Sequence, residues 1–124
     1  MMTIVWIGLA GALGTLTRFG LYHVTPPRSG DGFPWATLLA NVLGCYLFGV
    51  VWMLAERKVA FSEDTKVIVL TGFMGAFTTY STFAFETGQL LKDGYNGLAL
   101  ANLTAQTVLG IGALFVGIAT ARAM

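Results

Sequence analysis

Charged residues are the scarcest component of this sequence. Asp, Glu, Lys and Arg together make up 10% of its 124 residues, whereas soluble domains carry about 25%. With so little charge the chain has too little polar surface to cover a water-facing globule, which argues against a soluble domain. The net charge of +1 also excludes the basic surface typical of nucleic-acid-binding proteins.

The chain is equally poor in residues that bind metals or form covalent links. Cys45 is its one cysteine and His23 its one histidine. One thiol forms no disulfide within the chain and is no metal site, so we interpret Cys45 as a packing residue and His23 as an interfacial one. The sequence also has no nucleophile–base pair and no phosphate-binding loop. We therefore expect that the chain is not an enzyme.

Hydrophobic residues are abundant, at 56% of the chain. They form four runs long enough to cross a bilayer, which takes about 20 residues. These runs predict helices over about residues 3–24, 35–55, 67–91 and 98–121, in a single transmembrane domain over residues 1–124. The first run lacks the basic start and cleavage site of a signal peptide, so we expect it to be retained. The prediction is an all-α, multi-pass protein of the cell inner (plasma) membrane.

Small residues recur along the predicted helices at helical spacing. Gly44 and Gly49 lie in the second run, and Ala113, Gly117 and Ala121 are four apart in the fourth. Small side chains let helix backbones approach closely in lipid, which predicts a tightly packed bundle. Four short helices leave little room for an internal pathway, so we expect an oligomer.

The basic residues set no clear orientation in the membrane. Short loops rich in Lys and Arg stay on the cytoplasmic side, but here one side has four and the other three. The first group is Arg57, Lys58, Lys66 and Arg122, and the second is Arg18, Arg28 and Lys92. This near balance is typical of dual topology and an antiparallel dimer. On charge alone, a single orientation set by the Arg57–Lys58 pair is about equally supported.

The third run contains five consecutive hydroxyl-bearing residues, from Thr78 to Thr82. Thr and Ser side chains compete for backbone hydrogen bonds, and Gly72 and Gly75 lie just before them. This pattern predicts a break in the third helix. A break frees carbonyls, which favour a cation, and N–H groups, which together with hydroxyls favour an anion. The alternative is a kink with the hydroxyls bonded back to their own helix, which we disfavour for five in a row.

Aromatic rings flank the same hydroxyl cluster. Phe77, Tyr80 and Phe83 are three apart and share one face if the helix persists there. The positive edge of a ring can hold an anion without a fixed charge that binds too tightly for conduction. The alternative is that these rings only pack or face lipid.

Uncharged polar residues also occur in the second and fourth runs. Asn41 follows Thr37 by one turn, and Asn102 and Gln106 are four apart on one helix face. Buried amides in lipid mark either a packing bond between helices or a polar path. For Gln106 alone we favour packing, and for Asn41 we favour the path.

Two charged residues lie near the membrane boundaries. Arg18 is near the end of the first run, where it can extend its charge to the interface, and Glu86 follows the third run, where it can cap or pair with a basic group. Either residue can also draw ions to a vestibule.

Three segments in order along the chain resemble the CrcB/Fluc family of fluoride channels. They are a glycine-rich first helix ending in arginine, a second-helix motif with Thr and Asn four apart, and the third-helix cluster. Their sequences are GLAGALGTLTR, PWATLLANVLGCYLFG and GFMGAFTTYSTFAFE. The third is the most specific of them.

The resemblance implies an antiparallel, dual-topology homodimer that passively exports cytoplasmic fluoride through two pores. It also implies a structural sodium ion at the dimer centre, held by backbone carbonyls of Gly75 and Thr78. Pore or fluoride-binding positions are expected from the resemblance and from the polar residues together. These positions are Thr37, Asn41, Tyr80, Ser81, Thr82, Phe83, Asn102 and Gln106, with Arg18 and Glu86 at the vestibule.

The chain departs from the family pattern at two places. Tyr80 stands where the family usually has Phe, so a phenol O–H is available to bind the ion there. The fourth-helix polar track, which commonly carries hydroxyls, reads Asn102, Gln106 and then Gly110. Amides therefore replace hydroxyls in that track, or the track is shorter.

Two other functions are alternatives to a channel. A proton-coupled exporter of the small multidrug resistance type needs a carboxylate in the first helix, and the first run has no Asp or Glu. A non-conducting assembly factor fits the glycine packing but gives the hydroxyl cluster no purpose.

Overall fold

Every regular element in the described part of the chain is a helix. The computed structural model describes residues 1–25, 32–57 and 61–124, so Arg28 and Lys58 of the charge balance lie outside the described residues. Within these described residues, four helical spans have the length and composition to cross a membrane: Met2–Val24, Trp35–Glu56, Glu63–Lys92 and Asn96–Ala123. The predicted class, an all-α protein with four membrane-spanning helices, is confirmed.

The third span, Glu63–Lys92, is broken as predicted. It begins as α3 (Glu63–Val67), continues as a π-helical segment (Ile68–Met74) and ends its first half with the short α4 (Gly75–Phe77). Thr78 and Thr79 then have extended backbones, with φ/ψ of −83°/160° and −153°/106°. The second half is α5 (Tyr80–Lys92). The other spans are α1 (Met2–Val24), α2 (Trp35–Glu56) and α6 (Asn96–Ala123).

The third span starts at Glu63, four residues before the start taken from the apolar run. Ser62 caps the helix because its Oγ accepts the Thr65 N–H at 3.2 Å. Glu63 and Asp64 occupy the first turn, where negative charge is favourable. Capping therefore sets the start of the helix, whereas the apolar run marks only the part suited to lipid.

Helices α2 and α6 pack closely against each other. A Cβ added to Gly49 would collide with the Leu114 carbonyl, and one added to Gly117 would collide with the Tyr46 carbonyl. The two backbones therefore touch directly at these two glycines. The predicted close approach of small residues is present along this interface.

Helix α1 packs against the first half of the third span through a similar contact. A Cβ on Gly14 would collide with the Phe73 carbonyl, and one on Gly72 would lie 3.0 Å from the Ile7 carbonyl oxygen. Gly14 is the one buried residue of α1. Most of the α1 surface therefore faces away from its own chain.

Candidate functional site

One side chain provides partners for the backbone at the break in the third span. In a continuous helix the Thr79 N–H would donate to the carbonyl four residues earlier, that of Gly75. It donates instead to Asn41 Oδ1 at 2.8 Å, and the Thr79 carbonyl accepts from Asn41 Nδ2 at 3.1 Å. Since backbone groups away from water need partners, the Asn41 amide from α2 makes the extended backbone at Thr79 tolerable.

Thr79 also starts the second half of the span. Its Oγ1 accepts the Thr82 N–H at 3.3 Å, as an N-cap does, and donates to Thr82 Oγ1 at 2.9 Å. Thr78 Oγ1 donates back to the Met74 carbonyl of its own helix at 3.0 Å. Within the predicted hydroxyl cluster, Thr79 and Thr82 therefore form a cap, Thr78 bonds its own helix, and Tyr80 and Ser81 are exposed.

A chain of hydrogen bonds leads from Asn41 into the protein. Asn41 Nδ2 donates to Gln106 Oε1 at 3.0 Å, and Gln106 Nε2 donates to Asn102 Oδ1 at 3.4 Å. Asn102 Nδ2 donates to Thr87 Oγ1 at 3.0 Å. The Thr87 hydroxyl donates to the Phe83 carbonyl at 2.8 Å. We call these five residues the amide chain; it joins α2, α5 and α6.

A second polar group lies nearer the end of α1. Thr37 Oγ1 donates to Glu86 Oε1 at 2.8 Å and lies 2.8 Å from the Tyr22 hydroxyl oxygen. Because the Thr37 hydroxyl has a single hydrogen, Tyr22 is the donor to Thr37. Arg18 Nη1 donates to the Thr78 carbonyl at 3.2 Å. The two predicted vestibule residues therefore contact different partners.

A cleft of about 350 Å³ opens beside the break. Within it the Tyr80 and Phe83 rings meet edge to face, with centroids 5.5 Å apart and planes at 74°. Tyr80 is 79% exposed and Phe83 is 8% exposed. None of the described residues that line the cleft is charged. They are Asn41, Gly44, Cys45, Phe48, Thr78, Thr79, Tyr80, Phe83, Gln106, Thr107 and Leu114.

Four of the predicted pore residues border this cleft together, and four do not. Asn41, Tyr80, Phe83 and Gln106 line it. The others do not line it: Thr37 belongs to the group with Tyr22, Asn102 is buried behind Gln106, and Ser81 and Thr82 lie at the start of α5.

Two hydroxyl-bearing residues that hydrogen-bond to predicted site residues, Tyr22 and Thr87, were not among the predicted site residues. Tyr22 donates to Thr37, and Thr87 joins Asn102 to the Phe83 carbonyl. One signal for Thr87 was available. It follows Phe83 by four residues and so lies on the same face of α5.

A cation at this site would have to use backbone oxygens. No three His, Cys, Asp or Glu side chains come together within residues 1–25, 32–57 and 61–124. The Gly75 carbonyl fits, because the Thr79 N–H that a helix would direct to it is taken by Asn41. The Thr78 carbonyl fits less well, since it already accepts from the Arg18 guanidinium. It would have to offer its second lone pair beside that positive charge.

Comparison with known proteins gives the chain a family. Residues 5–118 match the family described as "CrcB-like protein, Camphor Resistance (CrcB)". The chain belongs to the CrcB family. A relative from Nitrosococcus oceani is 49% identical over 114 residues, 92% of this chain and 91% of its own. One from Solidesulfovibrio magneticus is 49% identical over 117 residues, 94% of each chain. A third, from Nitratidesulfovibrio vulgaris, is 46% identical over 123 residues, 98% of each.

All three CrcB relatives are named "Fluoride-specific ion channel FluC". The resemblance seen in the three sequence segments is therefore confirmed. The prediction that the chain is not an enzyme is confirmed by the same relatives, since they are named as channels. Their names also favour a channel over the exporter considered above.

Proposed function

We propose that this CrcB-family chain forms a fluoride-selective ion channel that lets fluoride leave the cytoplasm passively. One observation carries the proposal: the cleft beside the break combines amides, hydroxyls and aromatic rings with apolar side chains, and none of its described lining residues is charged. The names of the relatives support the same ion.

These groups suit the chemistry of a small, strongly hydrated anion. Fluoride loses water only if other donors replace it. The second N–H of Gln106 and the hydroxyl of Tyr80 are such donors, and an N–H of Asn41 becomes one when the anion displaces the Gln106 oxygen from it. The positive ring edges of Tyr80 and Phe83 add a weak attraction. Because none of these groups is ionic, the ion is held weakly enough to leave again.

We also propose that a second copy of the chain completes the pathway. Gly75, Tyr80 and Ser81 are exposed at the break of a single chain, and irregular backbone in lipid is tolerated only where protein or a water-filled cavity covers it. An antiparallel copy would cover it and create two equivalent pores. The near balance of basic residues supports this arrangement.

A structural sodium ion at the dimer centre is part of the same proposal. The Gly75 and Thr78 carbonyls of the two copies would hold it, with Arg18 sharing the Thr78 oxygen. When bound, the ion would neutralise the partial negative charges that meet there. Arg18 and Glu86 would shape the potential at the vestibules, in a multi-pass protein of the inner membrane.

The proposed function is tested by ion efflux from proteoliposomes of the purified chain. We expect fluoride efflux to be much faster than chloride efflux, whose rate should lie close to that of protein-free vesicles. Equal efflux of the two ions would contradict the selectivity, and no fluoride efflux would contradict the channel.

A matched pair of variants tests the role of the cleft. Phe83→Ile removes a ring that lines the cleft, and we expect fluoride efflux to fall to background while the protein still purifies as the wild-type oligomer. Phe85→Ile is the control, because Phe85 lies on the same helix, is 65% exposed and does not line the cleft. Equal effects of both substitutions would contradict this role.

A further inference from the structure

Thr87 and Asn102 belong to the amide chain but do not line the cleft. Asn102 is 0% exposed and Thr87 6% exposed, so neither can contact an ion there. Buried polar groups in a membrane protein are costly unless they are hydrogen-bonded. Their role at the cleft is therefore indirect, through the orientation of the Gln106 and Asn41 side chains.

The hydrogen bonds of the amide chain all run in the same donor-to-acceptor direction. Backbone groups at its two ends, the Thr79 N–H and the Phe83 carbonyl, fix that direction. A carbonyl only accepts, so the Thr87 hydroxyl donates to the Phe83 carbonyl. That uses its one hydrogen, and Thr87 Oγ1 must then accept from the Asn102 amide nitrogen. Asn102 consequently turns its oxygen towards Gln106.

The same reasoning orients the next two amides. Because Asn102 presents an oxygen, Gln106 must present its nitrogen to Asn102 and its carbonyl oxygen to Asn41. At the other end, the Thr79 N–H holds the oxygen of Asn41, so Asn41 turns its nitrogen towards Gln106. The two fixed ends require the same orientations, and every bond joins a donor to an acceptor.

We propose that Thr87 and Asn102 are positioning residues that lock the Gln106 carbonyl oxygen onto the Asn41 N–H. The Gln106 oxygen then competes with an entering anion for the Asn41 N–H. The anion must displace this oxygen before Asn41 can donate a hydrogen bond to the anion. Fluoride accepts hydrogen bonds strongly enough to replace an amide oxygen, whereas larger and more diffuse halides do not. This inference rests on the proposed function and adds a source of selectivity to it.

The decisive variant is Thr87→Val, which keeps the shape of the side chain and removes the hydroxyl. Without that bond, Asn102 and Gln106 are free to turn, and the Gln106 oxygen leaves Asn41. We expect the ratio of fluoride to chloride efflux to fall about ten-fold, the equivalent of one hydrogen bond. Thr87→Ser retains the hydroxyl and should restore the ratio.

The matched control is Thr120→Val. The Thr120 hydroxyl donates to the Val116 carbonyl at 2.8 Å, as Thr87 does to Phe83, but makes no other bond in the described part of the chain. We expect its efflux ratio to equal that of the wild type. A purely structural role for Thr87 would lower the yield or thermal stability of Thr87→Val and leave the ratio unchanged, which would overturn the inference.

A second variant shows whether Thr87 acts through Gln106. Gln106→Leu removes the competing oxygen and should lower the ratio as Thr87→Val does. Adding Thr87→Val to Gln106→Leu should then change nothing further. If Thr87→Val does not fold, an unchanged ratio in Gln106→Leu still overturns the inference. Wild-type protein without fluoride efflux would contradict the proposed function instead.

Discussion

Helix α2 contacts its neighbours in two different ways along its length. Towards α6 it presents Gly49, and the backbones meet with no room for a Cβ. Nearer its start it presents Asn41, whose amide bonds both backbone groups of Thr79 in the third span and also Gln106 of α6. Hydrophobic burial does not draw helices together in lipid, so close packing and hydrogen bonds are the two means available.

The two contacts differ in what they tolerate. The glycine contact is sensitive to size, because one added carbon meets a rigid carbonyl. The asparagine contact is sensitive to polarity, because its loss leaves backbone groups without partners at the break. Substitutions that change only the size or only the polarity of a side chain therefore test the helix packing and the candidate site separately.

The largest effect is expected at the glycine contact. Gly117→Ala places a Cβ against the Tyr46 carbonyl, and we expect a loss of about 3 kcal/mol in the free energy of unfolding, at the upper end for overpacking. Gly112→Ala on the same helix is the control, since an added Cβ meets nothing within 4 Å there. Thermal unfolding in detergent measures both. Equal stabilities of the two variants would show that the backbones do not touch.

The asparagine contact should affect both structure and transport. Asn41→Leu leaves the Thr79 N–H without its partner, and we expect a loss of about 1–3 kcal/mol in stability. Asn41→Asp keeps the oxygen that accepts from Thr79 but loses the N–H groups that bond the Thr79 carbonyl and Gln106, and it puts a negative charge at the cleft. We expect its loss of stability to be at least as large as that of Asn41→Leu, and we expect it to release no fluoride above background from proteoliposomes because the fixed negative charge repels the anion. Normal fluoride efflux from Asn41→Asp would contradict an anion path past this residue.

The smallest effects are expected at the two helix caps of the third span. Thr79→Ala removes the cap at the break, and Ser62→Ala removes the exposed cap at the start of α3. A lost cap costs about 0.5–2 kcal/mol, and we expect Thr79 at the upper end because water does not replace its bonds. Thermal unfolding of the two variants tests this order. A larger loss in the free energy of unfolding for Ser62→Ala than for Thr79→Ala would contradict it.

The sequence predicted the break in the third span but not its cause. A run of hydroxyls such as Thr78 to Thr82 competes with the backbone locally, and that competition is visible in the sequence. The partner that replaces the helical bond at Thr79 comes from another helix, 38 residues away. Only the packing of α2 against the third span determines that pairing.

The site residues on α6 show a similar limit. Asn102 and Gln106 lie on one face, as their spacing predicts, but Gln106 reaches the cleft and Asn102 is buried against α5. Spacing predicts the helix face on which a side chain lies. It does not predict whether another helix buries that face. Thr87 was missed because a lone hydroxyl within a helix ordinarily bonds its own backbone, and here it also accepts from Asn102.

The pairing of the Asn41 amide with both backbone groups of Thr79 means that the shape of the third membrane segment depends in part on a residue outside it. A synthetic peptide of that segment alone, placed in a bilayer, would lack these two bonds, and we expect it to be more helical across Thr78 and Thr79. During biosynthesis the two bonds would form only after the segment meets α2, which is made earlier.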